Sequence, residues 1–221
     1  MKVILFGATG MVGQGVLREC LLDPQVETVL AVGRSSTGQQ HPKLREVVHA
    51  DLNGLTPIQD HLRGFDACFF CLGVSSAGMS EDEYRRVTYD LTVAVAHTLS
   101  QLSSRMTFIY VSGAGTDTTE RGRSMWARVK GRTENALLRL PFKAAFMFRP
   151  GIIRPMHGIR SKTRSYRALY IVMSPIVLLL AAIAPNSITT TEKMGRAMIH
   201  AARNGAPKVH LSTRDINELA R

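Results

Sequence analysis

"KVILFGATGMVGQGVLREC", residues 2–20, decides how the rest of the chain is read. Val3 to Phe6 are apolar without a break, Gly7, Gly10 and Gly13 follow at a spacing of three, and Val12, Val16, Leu17 and Cys20 then recur at helical intervals. A strand with no polar alternation is buried on both faces, which is the habit of a parallel sheet. The order strand, glycine turn, helix gives each glycine a task. Gly7 allows the sharp turn, Gly10 lets a ligand come close to the backbone, and Gly13 lets the helix lie near the sheet. Free N–H groups of the first helical turn and the helix dipole would then hold an anion. A pyrophosphate fits this turn, which contains Thr9, Met11 and Val12 as well, so the stretch predicts dinucleotide binding.

The same alternation continues to the other end of the chain. Strand-like runs are expected at 27–34, 44–52, 66–73, 105–115, 143–151 and 208–212, with helices near 56–63, 80–103, 124–140 and 191–203. Ser80, followed by three acidic residues, is expected to cap the helix it opens. The pattern predicts an α/β fold, a doubly wound parallel sheet of Rossmann type with helices on both faces. Residues 1–221 form a single domain in this reading, with 152–190 as a small C-terminal lid or interface segment. Ligands of such sheets bind beyond the carboxyl ends of the strands.

The second strand indicates which dinucleotide. An acidic residue at its end would hold a ribose 2′-hydroxyl and favour NAD. The strand ends instead in "AVGRSS", with Arg34 and Ser35 at that place. A guanidinium pairs with a 2′-phosphate, so NADP(H) is preferred to NAD. Asp51, after the third strand, is a candidate partner for the adenine amino group, or a turn residue.

Composition and charge limit the partners. The chain has 221 residues, 45% hydrophobic and 20% charged, which is enough for one large core. The net charge of +11 favours anionic partners: a phosphorylated cofactor or a membrane surface. No helix-turn-helix, zinc finger or aromatic-basic platform is present in the sequence, so nucleic acid is not expected. Three cysteines make no disulfide framework, and "MKVILFGATG" is not a signal peptide. Cys68 and Cys71 lie three apart on a strand and point to opposite faces, against a zinc or redox pair. No metal site is expected. A cytoplasmic, reducing compartment fits, with membrane association as the alternative.

"SMWARVKGRTENALLRL", 124–140, puts Trp126 and Lys130 on one helical face. With "GATGMVG", "CLG", "YVSGAG", "VKGRTE" and "FRPG" in order, the chain resembles the short-chain dehydrogenase/reductase superfamily, in its atypical, epimerase-like branch. It is similar there to the group of the Tat-interacting-protein oxidoreductase. The resemblance implies an oxidoreductase acting on a small carbonyl or alcohol. It implies that Ser112 orients the substrate carbonyl, and that Lys130 binds the nicotinamide ribose and lowers the pKa of a tyrosine one turn earlier. Trp126 stands at that tyrosine's position, and an indole N–H does not ionise in the usable range. The general acid, worth about a hundred- to ten-thousand-fold, is therefore missing. A non-catalytic NADP(H)-binding regulator or scaffold is the competing reading. The resemblance also assigns cofactor contacts to Leu52, to Leu72, Gly73 and Val74, to Lys130, and to Pro150, Gly151 and Ile152. No nearby tyrosine replaces the lost one: Tyr110 is on the fifth strand, Tyr84 and Tyr89 on the preceding helix, and Tyr166 or Tyr170 would have to reach in from the other side.

Residues 154–185 bring Arg154, Arg160, Lys162, Arg164 and Arg167 ahead of a run without charge from Ala168 to Thr191. Three readings apply: a lid or homodimer helix, a peripheral membrane contact through 160–184, and a membrane span. The first is preferred as the ordinary meaning of an apolar patch, and a span is the least favoured, because a helix and a strand of the sheet domain follow.

Overall fold

A computed structural model of the chain describes residues 1–159 and 187–221. Seven parallel strands form one sheet in the order β3-β2-β1-β4-β5-β6-β9. They are β1 Lys2–Phe6, β2 Thr28–Gly33, β3 Leu44–Val48, β4 Ala67–Phe70, β5 Thr107–Val111, β6 Ala144–Arg149 and β9 His210–Ser212. The apolar runs are unbroken because both faces are covered. Along β1, Val3 and Leu5 enter one core, and Ile4 and Phe6 enter the other. All seven strands were expected, so the doubly wound Rossmann-type reading holds. β3 is shorter than the expected 44–52, and the helix from Ser80 is α2 Glu81–Arg85, a π-turn Arg86–Asp90 and α3 Leu91–Leu102 in succession. Ser80 forms a capping box: its Oγ accepts from the Glu83 N–H at 3.3 Å, and the Glu83 carboxylate accepts from the Ser80 N–H at 2.8 Å.

One face carries α1 Met11–Leu22, α5 Thr191–Asn204 and the short α6 Thr213–Leu219. The other carries α3, α4 Met125–Leu137 and a 3₁₀ turn at Thr56–Leu62. Helices α1 and α5 approach closely enough that a Cβ on Gly15 would lie 2.5 Å from the Thr191 Cβ, and one on Gly195 would lie 2.7 Å from the Glu19 Cβ. Arg18 and Arg196 both pair with the buried Glu19 at this crossing. Cys68 faces one core and Cys71 packs against the other, as their spacing requires. Burial pushes the thiols of Cys20, Cys68 and Cys71 above their usual range.

The proposed lid region begins and ends in structure that sequence reading missed. β7 Ile152–Arg154 pairs in parallel with β8 Ile188–Thr190, joining Ile152 to Ile188. Three-residue strands are too short to carry a periodic signal. The expectations for 160–184, the run to Thr191 and the reach of Tyr166 or Tyr170 fall on or run into residues 160–186, outside the described residues. Among the described residues, no helix is long and apolar enough to cross a membrane.

Candidate functional site

At the carboxyl end of β1 the chain turns at Gly7, whose φ is +84°. A Cβ here would meet the Cys71 carbonyl carbon and the Leu72 nitrogen at 2.8 Å. At Gly13 it would lie 2.0 Å from the Gly7 oxygen, so the turn closes only without that atom. Gly10 differs. A Cβ there would be 3.4 Å from the nearest protein atom, an ordinary contact, so the protein's own packing does not demand a glycine. Gly10 is the N-cap of α1 and offers no side-chain cap. The N–H groups of Met11, Val12 and Gly13 thus begin the helix without intrahelical partners, at the place where an anion is favoured. Gln14 Nε2 donates to the Thr9 oxygen at 3.0 Å and stiffens the turn from outside.

Beside this turn lies a cleft of about 420 Å³ between the ends of β1 and β2. Gly7, Thr9, Arg34, Ser35, Leu52 and Leu72 line it, all of them expected cofactor contacts. Glu46 and Thr37 also line it and were not expected. Asp51 is not among the lining residues. Its carboxylate accepts from the Asn53 backbone at 2.9 Å and side chain at 3.2 Å, closing its own turn, which lowers its pKa. Gly73 has open space around it and Val74 is exposed.

The half-site between β5 and α4 brings Ser112, Trp126 and Lys130 together. The Trp126 indole lies on the Gly113–Gly115 loop, with its Cη2 3.4 Å from where a Gly115 Cβ would be. The Lys130 ammonium donates to the Ser112 carbonyl oxygen at 2.6 Å and stands 5.7 Å from the Tyr110 ring centre. Burial pulls its pKa down to about 8, against the opposing charge of Glu134. The Ser112 hydroxyl points elsewhere. It donates to Glu134 Oε1 at 2.5 Å, and 3.2 Å separates it from the Phe148 oxygen. Tyr84 and Tyr110 are buried, burial pushing the Tyr110 phenol above its usual range, and the Arg132 guanidinium covers the Tyr89 ring at 4.7 Å. None of the three is placed as a proton donor. Pro150 accepts from the Ala114 N–H at 2.8 Å, and the Gly151 N–H is bonded to Thr213 Oγ1 at 2.8 Å.

Glu134 is the hub that sequence reasoning missed. Its carboxylate is fully buried and pairs with Arg149 through two guanidinium nitrogens. His210 Nε2 lies 3.5 Å away. Burial, then the Arg149 charge, lowers the His210 pKa, with Glu134 opposing. The available signal was a glutamate four residues after Lys130 on the same helix and an arginine at the end of the sixth strand, but nothing in the sequence joins them.

The fold and the glycine turn agree with the comparisons. The sequence model of the NAD dependent epimerase/dehydratase family matches residues 3–120, and the chain belongs to that family. A relative, protein fmp52, mitochondrial, of Emericella nidulans, is 26% identical over 181 residues, covering 76% of this chain and 72% of that one. Protein HTATIP2 of Rattus norvegicus is 26% identical over 154 residues, 69% of this chain and 62% of its own. Among solved structures, the Bordetella bronchiseptica enzyme WbmF in complex with NAD+ superposes with a TM-score of 0.70 at 15% identity, over 99% of this chain and 76% of that one. Pal from Bacillus thuringiensis gives a TM-score of 0.72 at 13% identity, over 100% and 81%. At these identities the structures speak for the fold.

Proposed function

We propose that the chain binds NADP(H) and acts through the bound nucleotide, as a regulatory or scaffolding protein, without the serine–tyrosine proton relay of its superfamily. The observation that carries this reading is the cleft beside the glycine turn. Gly10 of the turn needs no glycine for packing, Arg34 in the cleft has no ion pair among the described residues, and the lining carboxylate of Glu46 is bonded to Ser36 and Thr37. A cradle left open for an anion and an unpaired guanidinium suit a dinucleotide with a 2′-phosphate. The relay is absent in two places: Trp126 cannot ionise, and the Ser112 hydroxyl is bonded to Glu134. Three free cysteines, Cys20 and Cys68 buried, suit a reducing compartment such as the cytoplasm.

Titration calorimetry with NADPH and NADH tests the reading. Wild type is expected to bind NADPH more tightly, and Arg34→Ala to lose about 1.5–3 kcal/mol of NADPH binding, roughly ten- to a hundredfold. Equal binding of the two cofactors by wild type would defeat the NADP(H) assignment.

One observation favours a second reading, the reduction of a small carbonyl substrate. Lys130 keeps an ammonium beside the end of β5 with a pKa near 8, close to neutral pH, where a proton donor is effective. The nicotinamide would supply the hydride. In that case Trp126→Tyr, which restores an ionisable group one turn before Lys130, raises NADPH-dependent turnover of aldehydes or quinones at least tenfold. No turnover in either protein leaves binding as the function.

A further inference from the structure

The loop that carries Arg34 is tied to the sheet by a single side chain. Glu46 lies on the edge strand β3, opposite Ala31 of β2. Its Oε2 accepts from the Ser36 hydroxyl at 2.7 Å, and its Oε1 accepts from the Thr37 N–H at 2.7 Å. The tie is extended along the loop. Ser36 Oγ accepts from the Gly38 N–H at 3.0 Å, and Thr37 Oγ1 accepts from the Gln39 N–H at 3.2 Å. Residues 36–39 thus hang from one carboxylate, starting two residues beyond Arg34.

A carboxylate lining an anion cleft is at first sight misplaced, because like charges repel. Both of its oxygens, however, are turned to donors of the loop. Burial works against its ionisation, and the bonds from Thr37 and Ser36 outweigh that, so the carboxyl is held below its usual range and is ionised at neutral pH. An ionised acceptor makes the stronger bond to the loop. Arg34 itself is long and rotatable, and holding it in one geometry costs side-chain entropy unless the backbone beneath it is fixed. The clamp supplies that fixed backbone on the side of the cleft away from the glycine turn. In a dinucleotide-bound form the two anchors would serve different parts of the ligand: the turn at Gly7–Gly13 would meet the pyrophosphate, and the loop at 34–37, which lines the cleft, would meet whatever is attached to the ribose 2′ position.

We propose that Glu46 is the positioning residue for cofactor choice: by clamping Ser36 and Thr37 to β3 it holds Arg34 where a ribose 2′-phosphate would lie, and it acts on the phosphorylated cofactor alone. The proposal rests on the NADP(H) reading above, and the test separates the two. Calorimetry is run with NADPH and with NADH on wild type, Arg34→Ala, Glu46→Ala, Ser36→Ala and the Arg34→Ala/Glu46→Ala pair, with thermal melting of each. Glu46→Ala is expected to weaken NADPH about tenfold and to leave NADH within about twofold. Ser36→Ala, which removes one bond and keeps the charge, is expected to weaken NADPH about threefold and guards against a misfolded Glu46→Ala. The double variant should bind NADPH no more weakly than Arg34→Ala, because Glu46 acts through that side chain. Tighter NADPH binding by Glu46→Ala would mean that the carboxylate only repels the phosphate, and would overturn the proposal. So would parallel losses for NADPH and NADH, which a general loosening of the fold produces. If wild type prefers NADPH and Glu46→Ala changes nothing, this proposal falls and the NADP(H) reading stands. If wild type binds both equally or neither, both fall.

Discussion

At the carboxyl end of β1 the site is made of backbone: missing Cβ atoms at Gly7 and Gly13 and the open first turn of α1. At the ends of β5 and β6 it is made of side chains turned on one another, Ser112 on Glu134, Arg149 on Glu134 and Trp126 on the Gly113–Gly115 loop. The first region tolerates few residue types, because a single added carbon collides with main chain. The second can hold the same residue at the same position and aim it elsewhere, as Ser112 does. A half-site built from absences keeps its purpose wherever its glycines are kept. A half-site built from directed groups can be emptied of its chemistry while its spacing survives.

The strongest test of that contrast is at the hub. Glu134→Ala leaves Arg149 without its buried partner and should cost about 3–5 kcal/mol of stability, read by denaturant unfolding. A loss under 1 kcal/mol would mean that the second half-site is not held by this ion pair. Lys130 comes next. Its pKa in the folded chain, about 8, is below its ordinary value of 10.5. Between those pH values the unfolded chain binds the proton and the folded one does not, so the contribution of Lys130 to stability rises with pH across the window, by an amount on the order of 2 kcal/mol, while the thiols of Cys20, Cys68 and Cys71, which stay protonated in the folded chain, work in the opposite direction. Lys130→Met should lose this contribution, so that wild type gains stability relative to the variant as the pH rises, and should be no less stable than wild type at pH 7. A difference in stability between wild type and Lys130→Met that is flat from pH 8 to 10.5 would show an ammonium in ordinary solvent.

Within the backbone half, Gly13→Ala and Gly10→Ala should part company. The first drives a methyl onto the Gly7 oxygen and should lower both stability and NADPH affinity. The second has room and should melt within about 0.5 kcal/mol of wild type, as surface changes do, while losing at least tenfold in NADPH binding. Equal behaviour of the two variants would remove the distinction between a glycine kept for packing and one kept for a ligand.

The sequence made the sheet and the glycine turn legible because each rests on what a residue lacks or on an unbroken apolar run. The central strands β1, β4 and β5 could be read that way, and the cap at Ser80 from a hydroxyl ahead of three acidic residues. Arg34 and Ser35 were singled out because they follow a strand whose end is a known place, and both line the cleft. Glu46 was not, since its meaning depends on β3 lying beside the loop that leaves β2, a relation in space between residues 36–37 and 46. Glu134 was missed for the same reason: Ser112, Glu134, Arg149 and His210 come from four elements. Asp51 was read as an adenine partner or a turn residue, and in the structure it is bonded within its own turn.

The glycine crossing of α1 and α5 has a consequence for how the chain comes into being. The partner that seats the first helix is encoded near residue 195, so α1 emerges during synthesis long before Gly195 and Arg196 exist to pack against it. The side of this helix that carries Gly15 and Glu19 must wait, exposed, until residues 191–196 have been made, and pairing across such a separation is slow. A fragment ending near residue 120, though it spans the whole of the family match, would carry that helix with one side bare.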